Sequence, residues 1–174
     1  LTSTTVKKIS SNKKDVSVTL EKEGKLIEML VDRVLLAIGV IGNSEISGLE
    51  ATNVKIENSF IKTNEWCHTD EEGIYAIGDV AGAPWLAHKA SHEGVICVEK
   101  IAGEKNVLPL DKNLIPGCTY CRPQIASVGL TEQKAKDAGY AIRVGRFPFA
   151  GNGKALAIGA PEGLVKTIFD TKTG

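Results

Sequence analysis

A short apolar segment that ends in glycine and aspartate constrains this sequence more than any other feature. Residues 74–77 (Ile-Tyr-Ala-Ile) have the pattern of a buried strand, and Gly78 and Asp79 follow directly. Open α/β sheets bind their ligands at the carboxyl ends of strands. A carboxylate there can accept hydrogen bonds from ligand hydroxyls, and the glycine leaves room for a close approach to the backbone. The alternative is a strand that ends by chance in a turn-forming Gly-Asp pair.

A helix is predicted after this segment, from about Trp85 to Ala102. Pro84 suits a helix start, and Gly103 suits the position just past the end. One stripe of the helix collects small and apolar residues, namely Leu86, Ala90, Gly94, Cys97 and Ile101. The glycine in this stripe predicts close packing. Free N–H groups and the helix dipole favour an electron-rich or anionic group at the helix N-terminus. With Asp79 nearby, the two features suit a cofactor that has a polyol chain and a reducible ring.

The part of the chain before this segment predicts mainly strands. Residues 16–20 and 26–31 form an antiparallel hairpin around Glu23-Gly24-Lys25. Residues 34–38 are continuously apolar and end at Gly39, which favours a strand buried on both faces. Short strand-like pieces follow at residues 54–56 and 60–62.

The last third of the chain predicts an α+β unit with an antiparallel sheet. Residues 125–128, 141–149 and 164–169 are strand-like, and Thr131 can cap a short helix that ends at Gly139. The chain starts at Leu1 and closes on turn residues that leave the strand at 164–169 without a partner. We therefore expect a part of a longer protein.

Charge and hydropathy exclude some partners. Lys+Arg and Asp+Glu number 21 each, so the net charge gives no indication of a nucleic-acid or membrane-surface partner. The apolar runs are much shorter than the ~20 residues that span a bilayer. Four cysteines are too few for a disulfide scaffold.

Two segments resemble one family. Residues 69–80 (Thr-Asp-Glu-Glu-Gly-Ile-Tyr-Ala-Ile-Gly-Asp-Val) are similar to the second flavin-binding motif of the pyridine nucleotide–disulfide oxidoreductases. Residues 118–132 are similar to the start of that family's dimerisation domain. Within the family, residues 86–94 (Leu-Ala-His-Lys-Ala-Ser-His-Glu-Gly) resemble the dihydrolipoyl dehydrogenases more than the glutathione or mercuric reductases.

The resemblance implies an α/β flavoprotein with FAD- and NAD-binding domains, followed by an α+β dimerisation domain. The implied domains are residues 1–43, the end of the NAD-binding domain; 44–112, a second FAD-binding segment; and 113–174, the start of the dimerisation domain. The residues implied at the cofactors are Asp79 at the ribityl chain of FAD, Trp85, Leu86, Ala87 and His88 near its isoalloxazine, and Gly39 against NAD. No metal is implied.

The resemblance also implies an activity and partners. A homodimer would oxidise dihydrolipoyl groups on a carrier protein of a 2-oxo acid dehydrogenase or glycine cleavage complex, with NAD+, in a bacterial cytoplasm or a mitochondrial matrix. The sequence holds no C-x-x-x-x-C pair and no G-x-G-x-x-G loop. We therefore expect no catalytic residue within the 174 residues, with the redox disulfide and the acid/base histidine elsewhere.

The sequence departs from the family pattern at one place that concerns the nucleotide. The family continues the strand before Gly39 with Gly-Arg-x-Pro, whereas this sequence has Gly39-Val40-Ile41-Gly42. A basic contact near NAD is missing, so the nucleotide affinity is in question.

Three other features have competing interpretations. Cys118 and Cys121 could form a thioredoxin-like pair or half a zinc site, but an extended stretch before Pro123 would hold them too far apart for a disulfide. His88 and His92 could share a metal, although separate roles are favoured because no third ligand has suitable spacing. Lys89 is favoured as a surface or ion-paired residue over a Schiff-base lysine.

Two other functions stay open. One is another flavin disulfide reductase, which acts on glutathione, mercury or a related thiol. The other is a non-catalytic association module. A bound-flavin absorption band in the complete protein would distinguish an enzyme from a module.

Overall fold

The computed structural model describes residues 1–12, 14–45 and 48–174. Contacts divide the chain into two units, Leu1–Ile41 and Gly42–Gly174. None of the helices in these described ranges is long and apolar enough to cross a membrane.

The first unit is built on a sheet of three antiparallel strands, β1 (Thr5–Ser11), β2 (Val16–Lys22) and β3 (Lys25–Val31). The predicted hairpin between β2 and β3 is confirmed, with Lys22 paired to Lys25 across the turn. Glu23 and Gly24 both have positive φ, which matches the twist of the strands they join. Strand β1 was not predicted, because its residues are all exposed and its register is irregular between Val6 and Lys8.

The prediction of a doubly buried strand at residues 34–38 is wrong for this structure. No described residue pairs with this segment, and its side chains are open to solvent, with Leu35 91% and Ile38 88% exposed. An apolar run becomes a central strand only where neighbouring strands take up its backbone N–H and C=O groups. The described part of the chain supplies none.

The second unit starts with a small hairpin and contains the longest helix. Strands β4 (Ile56–Glu57) and β5 (Phe60–Ile61) pair antiparallel. Strand β5 lies within the segment predicted at 60–62, whereas β4 overlaps the segment predicted at 54–56 only at Ile56. The 3₁₀ helix Gly78–Ala81 precedes helix α1 (Ala87–Ile101). Another 3₁₀ helix spans Leu49–Ala51.

The predicted strand at residues 74–77 is also wrong as stated. This segment makes only an isolated bridge, between His68 and Tyr75, together with a hydrogen bond from the Ala76 N–H to the Cys67 carbonyl at 2.9 Å. Ala76 is buried, whereas the side chains of Tyr75 and Ile77 are partly exposed. The backbone at Ile77 is extended, but no sheet of the described residues includes this segment.

Helix α1 is confirmed, although its start is two residues later than predicted. Leu86 is extended and is the N-cap, whereas Gly103 follows the end with φ +81°, as predicted for a C-terminal glycine. Gly94 packs closely as predicted, because a Cβ there would lie 3.3 Å from Ile77 Cδ1. The buried stripe differs from the predicted one. It consists of Lys89, Glu93 and Cys97.

The remaining part of the second unit contains two further hairpins. After the 3₁₀ helix Lys112–Leu114, strands β6 (Gly117–Thr119) and β7 (Ile125–Ser127) pair antiparallel. Strand β8 (Ile142–Pro148) pairs along its whole length with β9 (Leu164–Asp170). The expectation that the strand at 164–169 lacks a partner is therefore wrong, because the strand predicted at 141–149 pairs with it.

Two short helices complete this part. Helix α2 (Glu132–Asp137) is capped by Thr131, whose Oγ1 accepts from the Lys134 N–H, as the sequence predicts. Helix α3 (Gly153–Ala157) follows the 3₁₀ helix Phe149–Gly151 and was not predicted, since five residues carry little periodic signal.

A surface ion-pair cluster ties α2 to β8. Glu132 accepts hydrogen bonds from Lys136 and Arg146, each at 3.0 Å. The hydrogen bond and charge of Lys136, followed by the charge of Arg146, hold the pKa of the Glu132 carboxyl below its usual range. The Lys136–Glu132 pair spans four residues of one helix and is exposed.

Candidate functional site

The turn at Gly78–Ala81 presents the aspartate singled out in the sequence. Gly78 is buried with φ +74°, and a Cβ there would lie 3.3 Å from the Cβ of Ala90. Glycine therefore permits both the left-handed backbone and the close contact with α1. Asp79 is exposed, and in the part of the chain that the structure describes its carboxylate accepts no hydrogen bond. It is an available acceptor.

The N-terminus of α1 is a second available polar surface. No described side chain caps Leu86, and the first hydrogen bond of the helix runs from the Ala90 N–H to the Leu86 carbonyl at 3.2 Å. The backbone N–H groups of Ala87, His88 and Lys89 are therefore free to donate to a ligand. The helix dipole adds partial positive charge at the same place.

A buried ion pair joins this helix end to the Asp79 turn. Lys89 Nζ donates to the carbonyl of Gly78 at 3.1 Å and to that of Gly82 at 2.9 Å, and it pairs with Glu93 Oε1 at 3.0 Å. The other oxygen of Glu93 accepts from the Gly78 N–H at 2.8 Å. Both residues are buried, with Lys89 1% exposed and Glu93 8% exposed. The ion-paired alternative for Lys89 is thus confirmed, although the pair is in the interior.

Neighbouring side chains support the same region. Trp85 stacks on Phe60 with ring centroids 5.8 Å apart. The Nε2 atom of His88 lies 2.8 Å from the carbonyl oxygen of Pro116, so Nε2 donates this hydrogen bond. His88 thereby links the start of α1 to the segment that leads into β6.

Several predicted site residues come together, and one does not. The predicted flavin residues are all on the turn or at the start of α1: Asp79, Trp85, Leu86, Ala87 and His88. Gly39 belongs to the other unit, where its φ of +114° requires glycine. The assignments of these residues to FAD and NAD stay predictions.

The role of Glu93 was not predicted from the sequence. The signal that could have found it is a lysine and a glutamate four residues apart, which are neighbours on one helix face. His88 and Glu93 also have a His-x-x-x-x-Glu spacing, but five residues place them on different sides of a helix. Their side chains bind separate partners, Pro116 for His88 and Lys89 for Glu93.

The other motifs show no assembled site within the described ranges. No group of three or more His, Cys, Asp or Glu residues there could hold a metal ion. All four cysteines are free thiols, with Cys118 and Cys121 exposed. The stretch after β6 is not extended as predicted, because the Cys121 N–H returns to the Thr119 carbonyl at 3.0 Å.

The four thiols should differ in reactivity. At about pH 8 we expect an alkylating reagent to modify Cys118 and Cys121 in the 174-residue chain, while Cys67 and Cys97 stay unmodified, because only thiolates react. Burial, reinforced by the charge of Glu93, raises the pKa of Cys67 to about 11, and burial also raises the pKa of Cys97. Labelling of Cys67 should therefore increase only as the pH approaches 11. Mass spectrometry counts the labels, and a denatured sample gives the full count. Equal rates for Cys67 and Cys118 at pH 8 would contradict the structure.

Two segments of the chain match family models. Residues 1–94 match the pyridine nucleotide-disulphide oxidoreductase family, and residues 115–174 match the dimerisation domain of the same family.

Two relatives with similar sequences are dihydrolipoyl dehydrogenases. The chain is 55% identical to a dihydrolipoyl dehydrogenase of Rhizobium etli, over 99% of this chain and 36% of the relative. It is 50% identical to one of Zymomonas mobilis, over 92% of this chain and 35% of the relative. The chain thus spans about a third of the length of these relatives.

Solved structures agree with this grouping. LpdA from Mycobacterium tuberculosis superposes with a TM-score of 0.86 at 26% identity, over 98% of this chain and 37% of that one. The HOCl-induced flavoprotein disulfide reductase RclA from Escherichia coli superposes with a TM-score of 0.82 at 26% identity, over 97% and 38% of the two chains. The α/β fold class of a flavoprotein followed by a dimerisation domain is confirmed. From the sequence matches and the shared fold together, the chain belongs to the pyridine nucleotide-disulphide oxidoreductases.

Proposed function

We propose that these residues are part of an FAD-dependent dihydrolipoyl dehydrogenase that oxidises protein-bound dihydrolipoyl groups with NAD+. The observation that carries the proposal is the free carboxylate of Asp79 on a turn that Lys89 and Glu93 join to the uncapped N-terminus of α1. An acceptor for hydroxyls next to donors for an electron-rich ring suits a flavin nucleotide. The relatives named dihydrolipoyl dehydrogenase support the choice of substrate.

Each residue has a role in this proposal. Asp79 would accept a hydrogen bond from a ribityl hydroxyl of FAD. The free N–H groups at the start of α1, together with Trp85, Leu86, Ala87 and His88, would hold the isoalloxazine ring. Gly39 would lie against NAD. The substrate dithiol would reduce the redox disulfide, and the chemistry that FAD would supply when bound is the transfer of these two electrons from the reduced disulfide to NAD+. The residues of this chain bind and orient the cofactor, and the disulfide and the acid/base histidine lie outside the 174 residues.

The domains and partners form part of the same proposal. Residues 1–43 end an NAD-binding domain, residues 44–112 form a second FAD-binding segment, and residues 113–174 start a dimerisation domain. We infer a homodimer through that domain, supported by the family match at residues 115–174. The other partner is a lipoyl-bearing carrier protein, in a bacterial cytoplasm or a mitochondrial matrix.

A second candidate function is the reduction of a different disulfide or thiol-bound substrate. Structural similarity to RclA, a flavoprotein disulfide reductase, favours this candidate. The complete protein distinguishes the two, because a dihydrolipoyl dehydrogenase reduces NAD+ with dihydrolipoamide and should have little activity with glutathione disulfide. A yellow protein that turns over dihydrolipoamide supports the proposal. A colourless protein contradicts both candidates and favours a non-catalytic association module.

We expect Asp79→Ala in the complete protein to weaken FAD binding by roughly tenfold to a hundredfold. A charge-assisted hydrogen bond contributes about 1.5–3 kcal/mol, and about 1.4 kcal/mol corresponds to a factor of ten in affinity. The measurement is the free FAD concentration that restores half of the activity to apoprotein.

Asp79→Asn is the matched variant, because it keeps an acceptor oxygen and loses the charge. Its FAD requirement should lie between those of the parent and Asp79→Ala. Equal requirements in all three proteins would exclude Asp79 as a ribityl ligand.

A further inference from the structure

Lys89 is the most completely enclosed side chain in the part of the chain described by the structure, at 1% exposure. An ammonium group has three N–H donors, and here each has one acceptor: the Gly78 carbonyl, the Gly82 carbonyl and Glu93 Oε1. No donor is left for a ligand or for solvent. Lys89 therefore binds only groups of the protein.

The three acceptors define what Lys89 holds. Gly78 is the first residue of the Gly78–Ala81 turn and Gly82 follows its last residue, so one ammonium group fixes both ends of the turn that carries Asp79. Glu93 accepts from the Gly78 N–H at 2.8 Å, so both backbone polar groups of Gly78 are bound by the ion pair. These contacts fix the position of the Gly78–Ala81 turn relative to α1.

Burial of this pair is not explained by stability alone. Removing two charges from water costs several kcal/mol per ion, and an apolar pair of similar volume is often as stable. The chain also has a lysine and a glutamate four residues apart on a surface helix, Lys136 and Glu132, where the charges stay hydrated. In contrast, the Lys89–Glu93 pair lies between the two elements that carry the available ligand groups, the Asp79 turn and the N-terminus of α1.

We propose that Lys89 and Glu93 are positioning residues of the flavin site, which hold the Asp79 carboxylate and the free N–H groups of α1 at the separation that one FAD molecule requires. This inference rests on the proposed function. Neither residue touches the cofactor. Loss of the pair lets the turn move relative to the helix, so that the ribityl acceptor and the isoalloxazine donors no longer fit the same ligand.

The test uses the complete protein, prepared as apoprotein and titrated with FAD. The variants are Lys89→Met, which keeps the length of the side chain without charge, and Glu93→Gln, which keeps an acceptor for the Gly78 N–H without charge. Lys136→Met is the control, since it breaks an exposed pair of the same spacing. The readouts are the FAD dissociation constant, the visible absorption spectrum of bound flavin and its reduction potential.

We expect Lys89→Met to raise the FAD dissociation constant at least tenfold and to shift the flavin spectrum and potential, even with FAD at saturation. Glu93→Gln should produce the same shifts to a smaller extent, and Lys136→Met should match the parent. A purely structural role would lower stability without a change in the spectrum or potential of the flavin that still binds.

The outcomes separate the two proposals. A parent protein that binds no FAD overturns the proposed function. A parent that binds FAD, with folded Lys89→Met and Glu93→Gln variants that keep its dissociation constant, spectrum and potential, overturns the positioning role alone. If Lys89→Met does not fold, Glu93→Gln decides: unchanged flavin properties in that variant count against the positioning role.

Discussion

Residues 1–174 alone should catalyse no NADH-dependent reduction of lipoamide, even with FAD in excess. Electron transfer to a disulfide in this family requires a redox pair of cysteines, and the sequence has no C-x-x-x-x-C. Its four thiols cannot substitute for that pair. Cys67 and Cys97 are buried, and burial raises the pKa of each. Cys118 and Cys121 are exposed, on the hairpin of β6 and β7 rather than on the Asp79 turn or α1.

The measurement is the loss of NADH absorbance with the purified chain, compared with the complete protein at equal concentration. Mass spectrometry of the sample excludes contamination by intact enzyme. The control adds a separately made fragment that contains the redox cysteines, together with the residues that follow position 174. Turnover by the 174-residue chain alone would show that the catalytic groups lie within it.

Local chemistry made much of the fold predictable. The Glu23-Gly24 turn, the capping of α2 by Thr131 and the glycine that ends α1 each depend on a few neighbouring residues. The residues that form such a turn or cap are within a few positions of one another in the sequence, so the sequence alone is enough to predict it. The pairing of β8 with β9 follows from two strand-like segments, although the prediction left the second without a partner.

Long-range context explains the errors. The segments at residues 34–38 and 74–77 have the composition of buried strands, but a strand forms only where other strands pair with it. Among the described residues, segment 34–38 has no pairing partner, and segment 74–77 makes only the isolated bridge from Tyr75 to His68. Strand β1 was not predicted, for the opposite reason. It pairs with β2 in spite of two adjacent lysines and an irregular register. Whether each of these segments forms a strand depends on its pairing with other strands. The residue pattern within a single segment carries no information about that pairing.

The candidate site was predictable in its ligand groups but not in their support. Asp79 and the start of α1 were found because glycine, aspartate and helix-start signals are local. The stripe predicted for α1 placed apolar residues inside, whereas Lys89 and Glu93 occupy the interior. Hydrophobicity alone predicts that a charged residue lies on the surface. A charged residue is buried only where specific partners compensate for the loss of hydration. Those partners are backbone groups of Gly78 and Gly82, which no side-chain pattern records.

The same ion pair gives the largest expected effect on stability. We expect Lys89→Met in the complete apoprotein to lower the free energy of unfolding by about 3–5 kcal/mol, because it leaves the Glu93 charge buried without its partner. The carbonyls of Gly78 and Gly82 also lose their donor. Apoprotein is used so that weaker FAD binding does not add to the measured loss. The free energy comes from urea unfolding followed by tryptophan fluorescence.

The double variant Lys89→Met with Glu93→Leu tests the reason for that loss. Removal of both charges should recover a large part of the stability, since no unpaired charge stays buried. Recovery should be incomplete, because the Gly78 N–H then lacks the acceptor it has at 2.8 Å, at a cost of about 1–3 kcal/mol. Lys136→Met should leave the stability nearly unchanged, because its pair with Glu132 is exposed and Arg146 still binds Glu132. If Lys89→Met were no more destabilised than Lys136→Met, the Lys89–Glu93 pair would not join the Asp79 turn to α1 as the structure describes, and the positioning role would lose its physical basis.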